Sequence, residues 1–493
     1  MPDEAVVPSL AGGVSGPDRL AELIPLVLKG FTAGQAERGS AAPSGGPVAV
    51  AAGVATAAPA LPSRGIGAER ALAEFSLLLA AGSVDPADPW CAAHLHCPPL
   101  AVAVAADVVA GALNPSMDSW DQAPVASELE GAFTAGIARL CYPREVSPDA
   151  VVTTGGTESN LLGLLLAREN APGRVLQTVC GRNAHHSVAR AAWLLGMPAP
   201  ILVDCEADKM LPSALAEILS GLDRPLVVAT AGTTNTGEID PLPEIAALCR
   251  SHGARLHIDA AYGGMVLCSR QLADVLIGLD AADSVALDMH KFGWQPISAG
   301  LFACRDGRGL DALTVRAEYL NADDDTEAGL PDLLGRSIRT SRRPDAFRMA
   351  VTWHAIGTEG LGELIDRCRN TAVSVAQGIA EHPGFRLWGE PALSTVLFRP
   401  SIADELGDIA GDELVARVRR ALLEAGTAVV GRAAMPTGNA GTEQLWLKLT
   451  FLHPHTSGED YRGLLDLIIA TAVAEAVNPD RAEECAEESP VAS

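Results

Sequence analysis

Residues 255–264, RLHIDAAYGG, decide the fold. Arg255–Ile258 reads as a short strand, Asp259 closes it, and Gly263 and Gly264 mark a turn. A carboxylate ending an apolar strand is buried or half-buried, and it needs a cationic or hydrogen-bonded partner to stay ionised. Outward from this stretch, strand candidates recur at Ala150–Thr154, Val175–Val179, Leu226–Thr230 and Ser284–Leu287. Helical spacing falls between them at Ser159–Glu169, Ser187–Leu195, Ser213–Leu219 and Leu242–Ser251. Strands alternating with helices predict βαβ units and a mostly parallel sheet covered by helices.

The organisation beyond this region follows from composition. Residues 105–345 carry the α/β pattern. Residues 346–477 change to helices at Ala346–Ile356 and Leu361–Ala380, then shorter strands and a final helix near Gly458–Val477, which predicts a smaller α+β domain. Residues 1–104 form an N-terminal segment with a helix at Leu20–Phe31, expected to pack on a partner surface. Within it, residues 38–65 are low in complexity and predict a flexible arm. Residues 478–493 are acidic, contain Pro479 and Pro490, and predict a disordered tail.

The chain has 493 residues, 48% of them hydrophobic, enough for a large core and more than one domain. A formal net charge of −25 argues against nucleic acid and anionic membrane as partners. No basic n-region precedes an apolar core at the N-terminus, and no run approaches the roughly 18 apolar residues of a membrane span. The ten cysteines form no CxxC pair, and the six-residue interval between Cys91 and Cys97 matches no common metal site, so no metal is expected. These features predict a reduced, cytoplasmic, soluble protein.

Four polar stretches sit where a strand ends and a helix begins, the place where open α/β sheets bind ligands. At Thr153–Asn160 (TTGGTESN) two glycines precede a helix, which offers backbone N–H groups to an anion; the same turn also arises from packing alone. At Ala184–Ser187 two adjacent histidines could ligate a metal, or one ring could stack on a flat cofactor. At Asp259 the carboxylate could face a protonated pyridine nitrogen, a recurring partner in pyridoxal phosphate sites. Ala261, small and two residues on, would let a flat ring approach the backbone. At Asp283–Phe292 (DSVALDMHKF) Lys291 follows an apolar strand. The chain has only Lys29, Lys209, Lys291 and Lys448 as lysines. Desolvation there would favour a nucleophilic amine; a snorkelling or ion-paired lysine is the alternative.

Together these stretches resemble the group II pyridoxal-phosphate decarboxylases, the family of aromatic-amino-acid, glutamate and 2,4-diaminobutyrate decarboxylases. The resemblance is carried by TTGGTESNLLGLLLARE, AHHSVARAAWLLG, TAGTTNTGEIDPL, HIDAAYGG, DSVALDMHKFGWQPIS and SIRTSRRPDAF, and it extends from about residue 90 to 475. It implies the fold-type-I, aspartate aminotransferase-like architecture: an α/β domain around a mostly parallel sheet of the seven-stranded type, with a smaller C-terminal α+β domain. It also implies a homodimer with shared active sites, and pyridoxal 5'-phosphate as cofactor.

Carried over residue by residue, Lys291 resembles the lysine that holds the cofactor as a Schiff base. Asp259 resembles the partner of the pyridinium nitrogen, and His185 the imidazole stacked on the ring. Gly156 and Thr157 fall in the phosphate-binding turn, with His290 beside phosphate and substrate. Thr234 and Ala261 match positions near the pyridine ring. Tyr319 matches the mobile-loop tyrosine that protonates the α-carbon. One departure stands out: Pro344 follows Arg342 and Arg343 where relatives carry an aromatic residue.

The resemblance implies a small-molecule L-amino acid as substrate, its carboxylate leaving as carbon dioxide and the corresponding amine remaining. His96, Cys97 and Pro98 match the substrate-side segment, and NPSMDSWDQ is similar to the diaminobutyrate branch. Asp118 in that segment could face a cationic side chain or cap a turn. A diamino acid such as L-2,4-diaminobutyrate leads, with an aromatic or aliphatic amino acid next. Oxidative decarboxylation–deamination to an aldehyde, and a non-catalytic binding protein on the same fold, are the other readings. The presence of Tyr319, His185, Asp259 and Lys291 weighs against both.

Overall fold

The computed structural model of the chain describes residues 9–57, 61–171, 173, 175–314, 327–437 and 442–477. It contains two compact units. The larger is Leu95–Val373 with Pro391–Thr395; the other joins the N-terminal residues through His94 to Ser374–Glu390 and the chain from Val396 onward.

The N-terminal part holds helices α1 (Gly16–Arg38), α2 (Gly46–Ala57) and α3 (Ala68–Gly82). The predicted Leu20–Phe31 helix is the middle of α1, and its packing surface is α3. Glycines allow this close approach: a Cβ on Gly30 would lie 2.6 Å from the Ala73 carbonyl oxygen, and one on Gly34 2.4 Å from that of Leu77. The expected flexible arm differs from the structure, since Gly46–Ala57 is helical with no buried residue. Alanine has the highest intrinsic helix propensity, and the helix lies against α3, so a low-complexity run rich in alanine is held helical here.

In the larger unit, α4 (Ala101–Leu113) and α5 (Pro124–Cys141) precede a seven-stranded sheet. Its strands are β1 (Asp149–Thr153), β2 (Thr178–Gly181), β3 (Ile201–Val203), β6 (Leu226–Thr230), β7 (Arg255–Ala260), β8 (Ser284–Asp288) and β9 (Gly300–Cys304). A small antiparallel hairpin, β4 (Cys205–Glu206) and β5 (Lys209–Met210), interrupts the series. Helices α6 (Gly156–Glu169), α7 (Ser187–Leu194), α8 (Pro212–Ser220) and α9 (Leu242–His252) lie between strands. The strand order is β1-β9-β8-β7-β6-β2-β3. The neighbours from β3 to β8 pair parallel, while β9 runs antiparallel to β8 and β1. Every residue of β6, β8 and β9 is buried, as expected where helices cover both faces.

Two strands differ from expectation. The strand predicted at Val175–Val179 is shifted to Thr178–Gly181, because pairing with Ile201–Val203 and Leu226–Val228 sets its position and leaves Val175 83% exposed. The antiparallel β9 has no counterpart in the predicted alternation, since no helix separates it from β8.

Helix Asp345–Glu381 breaks at Gly357, whose φ of 69° is non-helical, where the sequence predicted two helices. The smaller unit carries a four-stranded sheet of β10 (Phe385–Leu387), β11 (Thr395–Pro400), β12 (Gly431–Pro436) and β13 (Glu443–Thr450), ordered β10-β11-β13-β12. Arg399, buried there, is neutralised by Asp404 at 2.8 Å and Asp412 at 2.7 Å. Among the described residues, no helix is long and apolar enough to cross a membrane.

Candidate active site

The carboxyl ends of β1, β7 and β8 converge on one spot. β8 delivers Asp288, and a tight turn follows with His290 and Lys291. Lys291 Nζ lies 3.2 Å from Asp288 Oδ2, and His290 Nε2 lies 3.4 Å from the same oxygen. The backbone N–H of Ala299 donates to His290 Nδ1 at 3.2 Å, so the imidazole presents its Nε2 edge to Asp288. Burial pushes His290 below the usual imidazole range, with Asp288 opposing.

The Gly155–Gly156 turn, which leads from β1 into α6, closes over this group. A Cβ on Gly155 would sit 2.8 Å from His290 Cε1; one on Gly156 would sit 2.7 Å from Ala261 Cβ and 3.4 Å from Asp288 Oδ2. Any side chain here would displace these neighbours, and the bare backbone leaves the α6 N-terminus facing the turn. Thr157 is exposed in the first turn of that helix.

Asp259, one residue beyond the predicted strand end and inside β7, is 5% exposed. Its Oδ1 accepts from the Ala261 N–H at 3.1 Å and its Oδ2 from Asn160 Nδ2 at 2.7 Å. Asn160 Nδ2 also reaches Ser187 Oγ at 2.8 Å, and Ser187 Oγ is 2.8 Å from His185 Nδ1. His257 Nε2 meets Asn160 Oδ1 at 2.9 Å, and its Nδ1 meets Ser284 Oγ at 2.8 Å. Burial lowers His185 below its ordinary value; Asp259 and Asp288 oppose this, while His186 and Lys291 add to it. Lys291, Asp259 and His185 therefore share one electrostatic neighbourhood.

The predicted residues are placed unevenly. Lys291, His290, Asp259, Ala261, His185 and Gly156 belong to this cluster. Cys97 joins it through its thiol, 3.2 Å from the His290 carbonyl oxygen. Thr234 is exposed in the loop after β6, beside Thr233 and Thr236, which both hold Asp208. His96 is exposed and Pro98 half-buried on either side of Cys97. Asp118 is buried, with its oxygens engaged by Ser116 Oγ at 2.7 Å and Ser341 Oγ at 3.2 Å. Tyr319 lies outside the described residues. Adjacent His185 and His186 rings are 4.0 Å apart, yet among the described residues no three His, Cys, Asp or Glu side chains are grouped to hold a metal ion.

Asn160, Ser187, His257 and Asp288 complete the cluster without having been singled out from sequence. A cation-bearing ring with a phosphate fits this donor set. Asp259 is an anion fixed by two donors, Lys291 supplies an amine, and the glycine turn leaves backbone N–H groups open at a helix start.

The conserved domain described as "pyridoxal-dependent decarboxylase" matches residues 59–401. L-2,4-diaminobutyrate decarboxylase of Rhizobium meliloti (strain 1021) is 37% identical over 427 residues, covering 84% of this chain and 83% of that protein. The Acinetobacter baumannii enzyme of the same name is 32% identical over 446 residues, covering 83% and 84%. Among solved structures, the glutamate decarboxylase domain of a Vibrio parahaemolyticus diaminobutyrate-pyruvate transaminase and L-2,4-diaminobutyrate decarboxylase is 30% identical. It has a TM-score of 0.81 and covers 94% of this chain and 98% of that one.

Proposed function

Because the chain belongs to the pyridoxal-dependent decarboxylase family, we propose that it converts L-2,4-diaminobutyrate to the corresponding diamine and carbon dioxide. It does so as a cytoplasmic homodimer whose active sites are shared between subunits. Two relatives named for that substrate support this reading, each matched over more than four-fifths of the chain. The structural observation that carries it is the convergence of Lys291, Asp259 and His185 around the glycine turn.

Bound pyridoxal phosphate supplies an electron sink for the pair left behind when the carboxylate departs. Asp259 keeps a negative charge at the ring-nitrogen position, held there by Asn160 and the Ala261 N–H. Gly155, Gly156 and Thr157 direct N–H groups toward phosphate at the start of α6. Lys291 Nζ anchors the cofactor, with Asp288 beside it as a local base. With the cofactor bound, His185 would cover its ring and exclude water from it. His290, Thr234 and Ala261 border the cofactor, and His96, Cys97 and Pro98 the substrate. Asp118 is assigned to the distal ammonium of the substrate, and Tyr319 to the hydroxyl that returns a proton to the α-carbon.

The test is incubation of the cofactor-loaded protein with a panel of L-amino acids, followed by mass spectrometry of amine and carbon dioxide. Diamine from L-2,4-diaminobutyrate in preference to products from aromatic, aliphatic or acidic members supports the assignment. Turnover of another amino acid alone replaces the substrate, and aldehyde with hydrogen peroxide replaces the reaction.

A further inference from the structure

The hydrogen bonds around Asn160 admit only one arrangement of protons. Asp259 can only accept, so the Asn160 amide must turn its NH2 toward it, across 2.7 Å. That leaves Asn160 Oδ1 facing His257 Nε2 at 2.9 Å, and an oxygen there requires His257 to carry its proton on Nε2. His257 Nδ1 is then the acceptor of the Ser284 hydroxyl, 2.8 Å away.

The second N–H of Asn160 points at Ser187 Oγ, 2.8 Å away. Ser187 Oγ also lies 2.8 Å from His185 Nδ1, and its hydroxyl proton is free to donate there. The Ser187 backbone N–H approaches the same ring nitrogen at 3.3 Å. With two donors aimed at it, Nδ1 of His185 holds a lone pair and the proton resides on Nε2. Asn160, Ser187 and His257 are all fully or almost fully buried, so water does not compete for these bonds.

We propose that Asn160 is a positioning residue whose amide, oriented by His257, at once fixes the Asp259 carboxylate and, through Ser187, locks His185 as the Nε2–H tautomer. One side chain thereby couples the group below the ring nitrogen to the group above the ring face. His185 presents a donor, never a lone pair, on its edge away from Ser187. This rests on the assignment of His185 and Asp259 to the cofactor, but the proton arrangement itself does not.

The experiment is nitrogen-15 NMR of the cofactor-loaded, full-length protein labelled at histidine, wild type against Ser187→Ala and Ser187→Thr. His185 and His257 are expected as neutral Nε2–H rings in the wild type. Ser187→Ala should release His185 into a tautomer mixture while leaving His257 unmoved, and Ser187→Thr should restore the wild-type pattern. With the same samples, kcat should fall about tenfold in Ser187→Ala with little change in KM, the scale of one lost hydrogen bond. A His185 proton on Nδ1 in the wild type, or a tautomer indifferent to Ser187→Ala, overturns the lock whatever the protein turns over. A shifted tautomer with unchanged kcat leaves the lock in place and overturns the assignment of His185 to the reaction.

Discussion

Lys291 Nζ stands 3.2 Å from Asp288 Oδ2, while the other oxygen of Asp288 is buried with no hydrogen-bond partner among the described residues. A buried acceptor left unmatched on one side is a costly feature for a purely structural ion pair. It is reasonable where a ligand completes the surroundings. The pair also joins the amine to the glycine turn, because Asp288 Oδ2 lies 3.4 Å from where a Cβ on Gly156 would stand.

Replacing Lys291 with alanine is therefore expected to remove the covalent anchor for the cofactor. The visible absorbance of the bound cofactor should be lost on dialysis, and kcat should fall by more than about 100-fold. Dialysed Lys291→Ala that keeps wild-type absorbance would assign the anchor elsewhere, with Lys29, Lys209 and Lys448 as the remaining lysines.

Gly156→Ala tests the turn. Its new Cβ would stand 2.7 Å from Ala261 Cβ, too close for any contact without movement of β7 or α6. Overpacking of this kind costs about 1–3 kcal/mol. If the turn holds the phosphate as proposed, cofactor affinity should drop as well, measured by titration of the cofactor-free variant. Wild-type affinity with reduced stability would separate the turn from phosphate binding.

Much of this was legible beforehand, and the reasons differ by element. Leu226–Thr230 and Ser284–Asp288 stand out because buried parallel strands are short apolar runs bounded by polar turns. Lys291 stood out because lysine is rare in this chain. β9 was illegible because the chain reverses between β8 and β9 through residues 289–299 with no helix to mark it, and Gly300 at the start of β9 admits the Gly155 backbone; a Cβ there would meet Gly155 N at 2.4 Å. Asn160 and Ser187 lie inside the TTGGTESN and AHHS stretches but carry no chemical signal of their own there. One polar residue on a buried helix face acquires meaning only when β7 and α7 bring Asp259 and His185 to it.

Asp118 gives the substrate prediction. Its carboxylate is already held by Ser116 and Ser341, which would keep it oriented toward a distal ammonium. Asp118→Asn keeps one of those acceptors, turns the other into an N–H that the facing serine hydroxyl can accept by rotating, and removes the charge. KM for L-2,4-diaminobutyrate should rise about tenfold or more, the effect of losing one charge-assisted hydrogen bond, while an uncharged analogue of equal length is unaffected. Equal losses on both substrates would return Asp118 to holding its own loop.

His257 makes stability depend on pH in a predictable direction. Complete burial pushes it down to about 4, against an ordinary value of 6.5, with Asp259 opposing the shift. Between those values the unfolded chain binds a proton that the folded protein refuses. Its contribution is therefore intact above pH 6.5 and lost as pH falls toward 4, by about 2–4 kcal/mol. Asp208 and Asp240, raised by burial, act in the opposite sense at acidic pH, so the wild-type curve alone is ambiguous. His257→Gln keeps an N–H near the Nε2 position without a titrating ring, and both carboxylates are common to the two proteins. Urea unfolding of each from pH 7 to 4 should show the wild type losing stability faster by that amount. Parallel curves would mean that His257 does not remain neutral in the folded protein, so that its Nδ1 donates to Ser284 instead of accepting, with the Nε2–H toward Asn160 unchanged.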